Sequence, residues 1–226
     1  MVTRPAGAHA RKRAASWTAD DRALMRADKV LRRVMEERGP IDHAIDRRGS
    51  RPDPWEALAR AIVGQQLSTK AARSIWEKLQ GQFGGETPDP KSLLRKRPQT
   101  LRKAGLSSAK VEFLRDLARR VADGTLDLAR LRDLPDEDVI AELLEVKGIG
   151  RWTGEMFLIF HLARPDVVST GDLGIRRAVQ IAYGMDDLPG PEELERIADE
   201  WRPHRTLACL YLWRSLDNTP VEAASK

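Results

Sequence analysis

The sequence predicts an all-α fold. Apolar residues recur at helical spacing along nearly the whole chain, and no stretch alternates the way a half-buried strand does. Proline, glycine and short capping residues fall between the periodic stretches, where helices would start and stop.

The elements follow in order. The Ala/Arg-rich stretch 1–16 has no periodicity and reads as a mobile basic tail, residues 1–17, ahead of one helical domain over 18–226. A first helix starts after Thr18, with Asp20 and Asp21 in its first turn, and runs to Glu37 before Gly39-Pro40. Residues 39–54 form a loop rich in Gly, Pro and Asp. A second helix opens at Pro54-Trp55 and meets Gly64, and Ser68 caps a third that reaches Phe83. After Gly84-Gly85 and Thr87-Pro88-Asp89-Pro90 come short helices at 90–96 and 98–104. Ser107 or Ser108 caps a longer helix to Asp123, which ends at Gly124. Pro135-Asp136 opens a helix to Val146, Gly148-Ile149-Gly150 interrupts, and another helix runs from Arg151 to Ala163. A loop over 164–171 precedes the last three helices, Leu173–Tyr183, Pro191–Trp201 and Pro203–Leu216. No internal repeat is detectable.

Composition narrows the function classes. The 226 residues suit one globular unit, and 41% hydrophobic with 32% charged residues can bury a core and stay soluble. No apolar run approaches the roughly 18 residues of a membrane span, and the N-terminus lacks the apolar segment of a secretion signal. Cys209 is the single cysteine, which excludes an intramolecular disulfide and a four-thiolate metal site. His9, His43, His161 and His204 are scattered and form no ligand cluster. The chain therefore reads as intracellular, needing no cofactor. The net charge of +5 suggests an acidic partner such as nucleic acid. Arg4, Arg11, Lys12 and Arg13 account for most of that excess, leaving 35 basic against 34 acidic residues in the body. Individual charges must therefore carry the inference.

The segment over 136–163 is the most informative. Val139, Ile140, Leu143 and Leu144 form one apolar stripe, Phe157, Leu158, Phe160 and Leu162 another, and V-K-G-I-G joins them. Gly148 and Gly150 permit backbone angles and close approaches that a β-carbon would obstruct. Gly150 stands where the second helix begins, so free amides point outward and can bind a phosphate without reading sequence. Lys147 and Arg151 flank that position with the appropriate charge. A plain turn between core helices explains the same residues.

With its surroundings, this segment resembles a family. LLEVKGIGRWTGE resembles the hairpin of the helix-hairpin-helix/Gly-Pro-Asp DNA glycosylase superfamily, and RPDVVSTGDLGIRRAV resembles its loop, aspartate and following helix. AIVGQQLSTKAA, LRKAGLSSAKVEFLRDLA and WRPHRTLACLYLWRSLD resemble earlier and closing segments, so the likeness covers residues 20–217 in order. It is strongest toward the bacterial 3-methyladenine DNA glycosylase II branch. The resemblance implies two helical lobes with a DNA-binding cleft between them, without the N-terminal β-rich domain of some members. It implies a cytoplasmic bacterial protein, nucleoid-associated when acting, probing double-stranded DNA with alkylated bases as a monomer.

The family's catalytic aspartate falls at Asp172. Read locally, an Asp ahead of L-G-I-R-R-A-V is a helix N-cap, and both roles can hold together. Breaking an N-glycosidic bond builds positive charge on the deoxyribose, which a fixed carboxylate stabilises while it orients or deprotonates the attacking water. Asp166 reads as a loop residue.

Strand-cleaving relatives carry a nucleophilic lysine two residues after the hairpin's last glycine. Trp152 stands there, and an indole cannot form a Schiff base. The resemblance also makes Trp152 and Trp213 aromatic walls of a base pocket, where stacking on a cationic alkylated purine gains roughly 0.5–2 kcal/mol. Met156 and Leu173 replace tyrosines of a close relative, which leaves lesion range open. Trp17, Trp55, Trp76 and Trp201 read as core or interface residues. Gln66 or Leu67, in G-Q-Q-L-S, could fill the gap left by a flipped base, or belong to an ordinary turn. Lys110, Arg176 and Arg177 could meet phosphates, or face solvent. Some members hold a monovalent cation, Na or K, on hairpin carbonyls, here those of Leu144, Val146 and Ile149. A non-catalytic hairpin protein that binds DNA is the competing reading, and a glycosylase for oxidised or mismatched bases is a third.

Overall fold

The structure, a computed structural model, describes residues 16–41 and 53–216. Residues 1–15 of the basic tail and most of the loop over 39–54 lie outside the described residues. Twelve α-helices form among the described residues, with no strand. They are α1 (Ala19–Ala27), α2 (Lys29–Arg38), α3 (Pro54–Gly64), α4 (Thr69–Gly81), α5 (Pro90–Arg95), α6 (Pro98–Arg102), α7 (Ser108–Asp123), α8 (Asp136–Leu144), α9 (Arg151–Met156), α10 (Leu173–Tyr183), α11 (Pro191–Ala198) and α12 (Arg205–Leu216). Short 3-10 turns occupy Arg130–Asp133 and Asp199–Trp201, and a π-helix occupies Phe157–Leu162.

Local chemistry accounts for most boundaries. Thr18, Ser68, Ser107 and Asp172 each accept an amide of the helix they open, an interaction worth about 1 kcal/mol. Gly124 and Gly184 end α7 and α10 in the left-handed conformation. The helix expected from Thr18 to Glu37 is two helices. Asp28 takes an extended conformation and its carboxylate accepts the amides of Val30 and Leu31, so it starts α2 anew.

The helix expected over 151–163 also changes character, widening into the π-turn after Met156. The wider turn shifts the register, so Phe160 is 47% exposed instead of lying on the apolar stripe. Leu144, at the end of α8, is likewise 48% exposed.

Two cores form. The first gathers α3 through α9 and the π-helix, from Trp55 to Val167, with Leu58, Leu114, Leu143 and Leu158 at its centre. The second joins both ends of the described residues, α1 and α2 with α10, α11 and α12, around Leu31, Ile175, Trp201 and Tyr211. Val167 faces the first core and its neighbour Val168 the second, so the chain changes lobe between consecutive residues. Trp213 packs against both. Trp55, Trp76 and Trp201 are buried and Trp17 lies against the second core, as a core reading of those tryptophans requires.

Asp166 anchors the crossing loop. Its carboxylate accepts Arg205 Nε at 2.9 Å and Arg202 at 2.8 Å. Arg164 donates to the carbonyls of Arg132 and Leu134. The loop that leads to Asp172 is thus pinned to both lobes before it reaches α10.

Candidate functional site

At the start of α10 the Asp172 carboxylate gathers three N–H donors. Oδ1 accepts the Ile175 amide at 2.8 Å and Trp213 Nε1 at 2.9 Å, while Oδ2 accepts Trp152 Nε1 at 2.7 Å. A carboxylate has about four lone-pair positions, so Oδ2 keeps one open. Asp172 is half-buried and Trp152 is 50% exposed, so the carboxylate is fixed yet reachable from solvent. Asp172, Trp152 and Trp213 therefore meet, though 20 and 41 residues of sequence separate the aspartate from the two indoles.

The manner of their meeting was not readable from the sequence. Each indole reaches the carboxylate through its N–H edge, and one face of Trp213 stacks on Phe160, centroids 5.8 Å apart at 27°. The apolar stripe in the sequence places Phe160 in the core, so it is not among the residues expected around the site. Gly174 was also missed. A β-carbon there would lie 3.0 Å from Asp172 Oδ1 and 3.3 Å from Trp213 Cδ1, so its bare backbone makes room for the contact.

Met156 borders a hollow of about 380 Å³ between α3 and the π-helix, with Phe160, Phe157, His161, Leu58 and Arg60. Its lining is mainly apolar and joins the aspartate's surroundings through Phe160. Leu173, next to Asp172, is 66% exposed.

The hairpin loop between α8 and α9 is held from outside. Gly148 has φ +78°, and a β-carbon there would sit 2.1 Å from the Phe113 ring, so only glycine fits. The obstruction expected at Gly150 does not exist within the chain. Its φ is −102° and a β-carbon would meet nothing within 4 Å. Asp116, a buried residue of α7, accepts the Lys147 amide at 3.0 Å and pairs with Arg119 and Arg120.

Lys147 and Arg151 are exposed but engaged. Lys147 Nζ pairs with Glu112 at 2.6 Å; Arg151 forks onto Glu137 at 2.7 and 3.0 Å and reaches Glu155 with Nε at 3.1 Å. These partners raise the pKa of both cations, Glu112 acting on Lys147 and Glu137 on Arg151.

The turn between α3 and α4 is tied to the hairpin, a link the sequence did not reveal. Gln65 Nε2 donates to the Gly148 carbonyl at 2.6 Å. Lys110 Nζ donates to the carbonyls of Val63 and Gln65 at 2.8 and 2.7 Å, and burial lowers its pKa. Lys110 thus caps the C-terminal carbonyls of α3. Arg176 is similarly engaged with the Pro189 carbonyl, and Arg177 with Gln180. Gln66 follows with φ +58°, an unusual conformation for a residue other than glycine, and it and Leu67 are exposed.

Leu144, Val146 and Ile149 lie between the last residue of α8 and Gly150, and the Ile149 amide donates to the Val146 carbonyl at 3.1 Å. A carbonyl has two lone pairs, so Val146 can still accept, and neutral peptide oxygens suit a hard monovalent cation. Among the described residues no group of His, Cys, Asp and Glu could hold a metal ion. Nor is any described helix long and apolar enough to cross a membrane.

The model of the HhH-GPD superfamily base excision DNA repair protein matches residues 59–204. YfjP of Bacillus subtilis is 32% identical over 169 residues, 72% of this chain and 59% of that protein, so the chain spans about three fifths of that relative's length. The structure of a DNA-3-methyladenine glycosidase from Bacillus halodurans superposes with a TM-score of 0.79 at 35% identity, covering 89% of this chain and 90% of that one. The Schizosaccharomyces pombe 3-methyladenine DNA glycosylase Mag1, solved in complex with abasic DNA, superposes with a TM-score of 0.77 at 30% identity, covering 87% and 96%.

Proposed function

Because this chain belongs to the HhH-GPD superfamily of base excision DNA repair proteins, we propose that it is a monofunctional DNA glycosylase that excises alkylated purines of the 3-methyladenine and 7-methylguanine class. The observation that carries this reading is the solvent-reachable Asp172 carboxylate held by two indoles and an amide. Pure phosphate binding requires neither that carboxylate nor the exposed Trp152.

The chemistry follows from the geometry. As the glycosidic bond of a flipped nucleotide lengthens, electron density leaves with the purine and positive charge grows on the sugar. A carboxylate already fixed by N–H donors faces that charge without reorganising, which is how preorganised electrostatics lowers a barrier. The open lone pair on Oδ2 can orient the water that forms the new bond to C1′. The proton it loses leaves to solvent or to the departing base. An N3- or N7-alkylated purine is already cationic and leaves readily, so no strong acid is needed at the base. The apolar hollow beside Met156 and Phe160, with the Trp152 ring, offers a lesion surfaces to stack on. No lysine stands at position 152, so no Schiff base forms and the backbone at the abasic product stays whole.

The DNA backbone would be received at the hairpin, where the space over Gly150 and the amides after it suit a phosphate. Lys147 and Arg151 would exchange their glutamate partners for phosphate oxygens as the duplex docks. Gln66 and Leu67 would enter the gap left by the flipped base. Leu144, Val146 and Ile149 would hold a monovalent cation whose charge helps neutralise the same phosphate.

Single-turnover base release from methylated duplex DNA tests the reading. The wild type should free 3-methyladenine or 7-methylguanine and leave strands intact until alkali is added. Asp172→Asn should bind the same duplex but release base about 100-fold more slowly or worse. Unchanged release by that variant returns the chain to the reading of a hairpin protein that binds DNA without chemistry. Direct nicking with a borohydride-trapped adduct contradicts the monofunctional assignment.

A further inference from the structure

Beneath the indole–carboxylate contact, a second and buried connection links the hairpin to the loop of Asp172. Glu155 lies on α9 three residues after Trp152 and is only 4% exposed. Its Oε2 accepts the Ser169 hydroxyl at 2.5 Å, and Ser169 is completely buried. The Ser169 carbonyl in turn accepts the Asp172 amide at 3.1 Å. The other Glu155 oxygen meets Arg151 Nε at 3.1 Å. Covalent sequence and hydrogen bonds thus close a ring from Trp152 to Glu155, Ser169, Asp172 and back to Trp152.

A buried carboxylate is costly, and here burial holds Glu155 above the usual glutamate range even though Ser169 and Arg151 pull it down. An apolar residue would fill the same space without that cost. What it would not supply is a strong acceptor that fixes the Ser169 hydroxyl and, through it, the backbone three residues before Asp172. The surroundings include Asp136, Glu137, Asp166 and Glu195, with Arg151 and Arg205 of opposite sign, so the acceptor is embedded in a charge network at the lobe crossing.

We infer that Glu155 is a positioning residue for the reaction: acting through Ser169, it fixes the 169–172 backbone to the helix that carries Trp152 and so sets where the Asp172 carboxylate stands. The inference rests on the reading of Asp172 as the reacting carboxylate, and adds to it a residue that touches neither DNA nor the base.

The test compares Glu155→Ala, Ser169→Ala and Glu155→Gln with the wild type. Single-turnover release from methylated duplex DNA is measured beside affinity for a duplex carrying a tetrahydrofuran abasic site. Glu155→Ala and Ser169→Ala should slow release roughly 10–100-fold, as a misplacement of about 1 Å can do, with affinity within about threefold. Glu155→Gln keeps an oxygen for the Ser169 hydroxyl and should recover release to within about threefold of wild type. Should Glu155→Ala fail to fold, the milder Ser169→Ala carries the test alone. Release within twofold of wild type in both truncations, or a matching loss of DNA affinity, overturns the positioning role. A wild type that frees no alkylated base overturns the proposed function itself, whereas unaffected truncations of an active wild type overturn only Glu155.

Discussion

The Trp213 indole reaches Asp172 Oδ1 at 2.9 Å across a residue that has no side chain. Gly174, in the first turn of α10, leaves the gap through which the two meet. Alanine there would bring a methyl 3.0 Å from the carboxylate oxygen, so one of the pair must move. Gly174→Ala also gains up to about 1 kcal/mol of helix propensity. The expected outcome is a variant at least as stable as wild type by thermal melting, yet slower in base release by roughly tenfold or more. Unchanged release would mean that the Trp213 contact is dispensable.

Trp213→Phe separates two contributions of the same ring. Phenylalanine preserves stacking on Phe160 but removes the N–H that Oδ1 accepts. A hydrogen bond to a charged acceptor is worth about 1.5–3 kcal/mol. If that bond supports the reactive placement of Asp172, release should fall by roughly ten- to a hundredfold, while affinity for abasic-site DNA changes little. A loss of affinity with an unchanged release rate would assign Trp213 to binding alone.

The two hairpin glycines should behave oppositely. Gly148→Ala forces a β-carbon into the Phe113 ring at positive φ and should cost about 2–4 kcal/mol of stability in denaturant unfolding. Gly150→Ala meets no atom of the chain and should cost less than about 1 kcal/mol. Its effect should appear instead as weaker duplex binding, because the methyl occupies the space offered to a phosphate. Equal stability losses in the two variants would contradict this division of labour.

How far such features were legible in the sequence depends on their range. Caps at Thr18, Ser68, Ser107 and Asp172 act within four residues and were readable directly. Asp28 acts equally locally, but continuous apolar spacing across it masked the break it makes. The π-turn over Phe157–Leu162 escaped because every position of the run FLIF is apolar, so the stripe read through Phe157, Leu158, Phe160 and Leu162 fits a regular α-helix and does not reveal the register shift. Asp172, Trp152 and Trp213 were identified through a family likeness, but the N–H edges that join them depend on packing of separate lobes. Gln65 in its turn and Glu155 on its helix look like ordinary polar residues until the fold carries each to a partner, Gly148 and Ser169.

Cys209 should be chemically silent in the folded protein. It is completely buried in the second core, and burial pushes its thiol up to about 12. The thiolate, which is the reactive form, is therefore scarce as well as shielded. Iodoacetamide at pH 8 should leave the native protein unmodified by mass spectrometry and add one label after denaturation. Labelling of the native protein at the rate of a free thiol would contradict the packing described for α12.

Glu155 gives the fold a pH signature of definite sign. Burial raises its folded-state pKa above the ordinary 4.5, so folding favours its protonated form. Its stabilising contribution is therefore complete below that ordinary value and is lost as pH rises through the raised one. Glutamine at 155 does not titrate, so wild type should lose ground to Glu155→Gln as pH climbs from about 4 toward 7. Melting temperatures across that interval measure the difference directly. A gap that widens in favour of the variant would mean that the ionised carboxylate is kept at the expense of stability, as sites built for chemistry often are. A gap that stays level, or closes, would mean that Ser169 and Arg151 fully offset the burial and that no such cost is borne beneath Asp172.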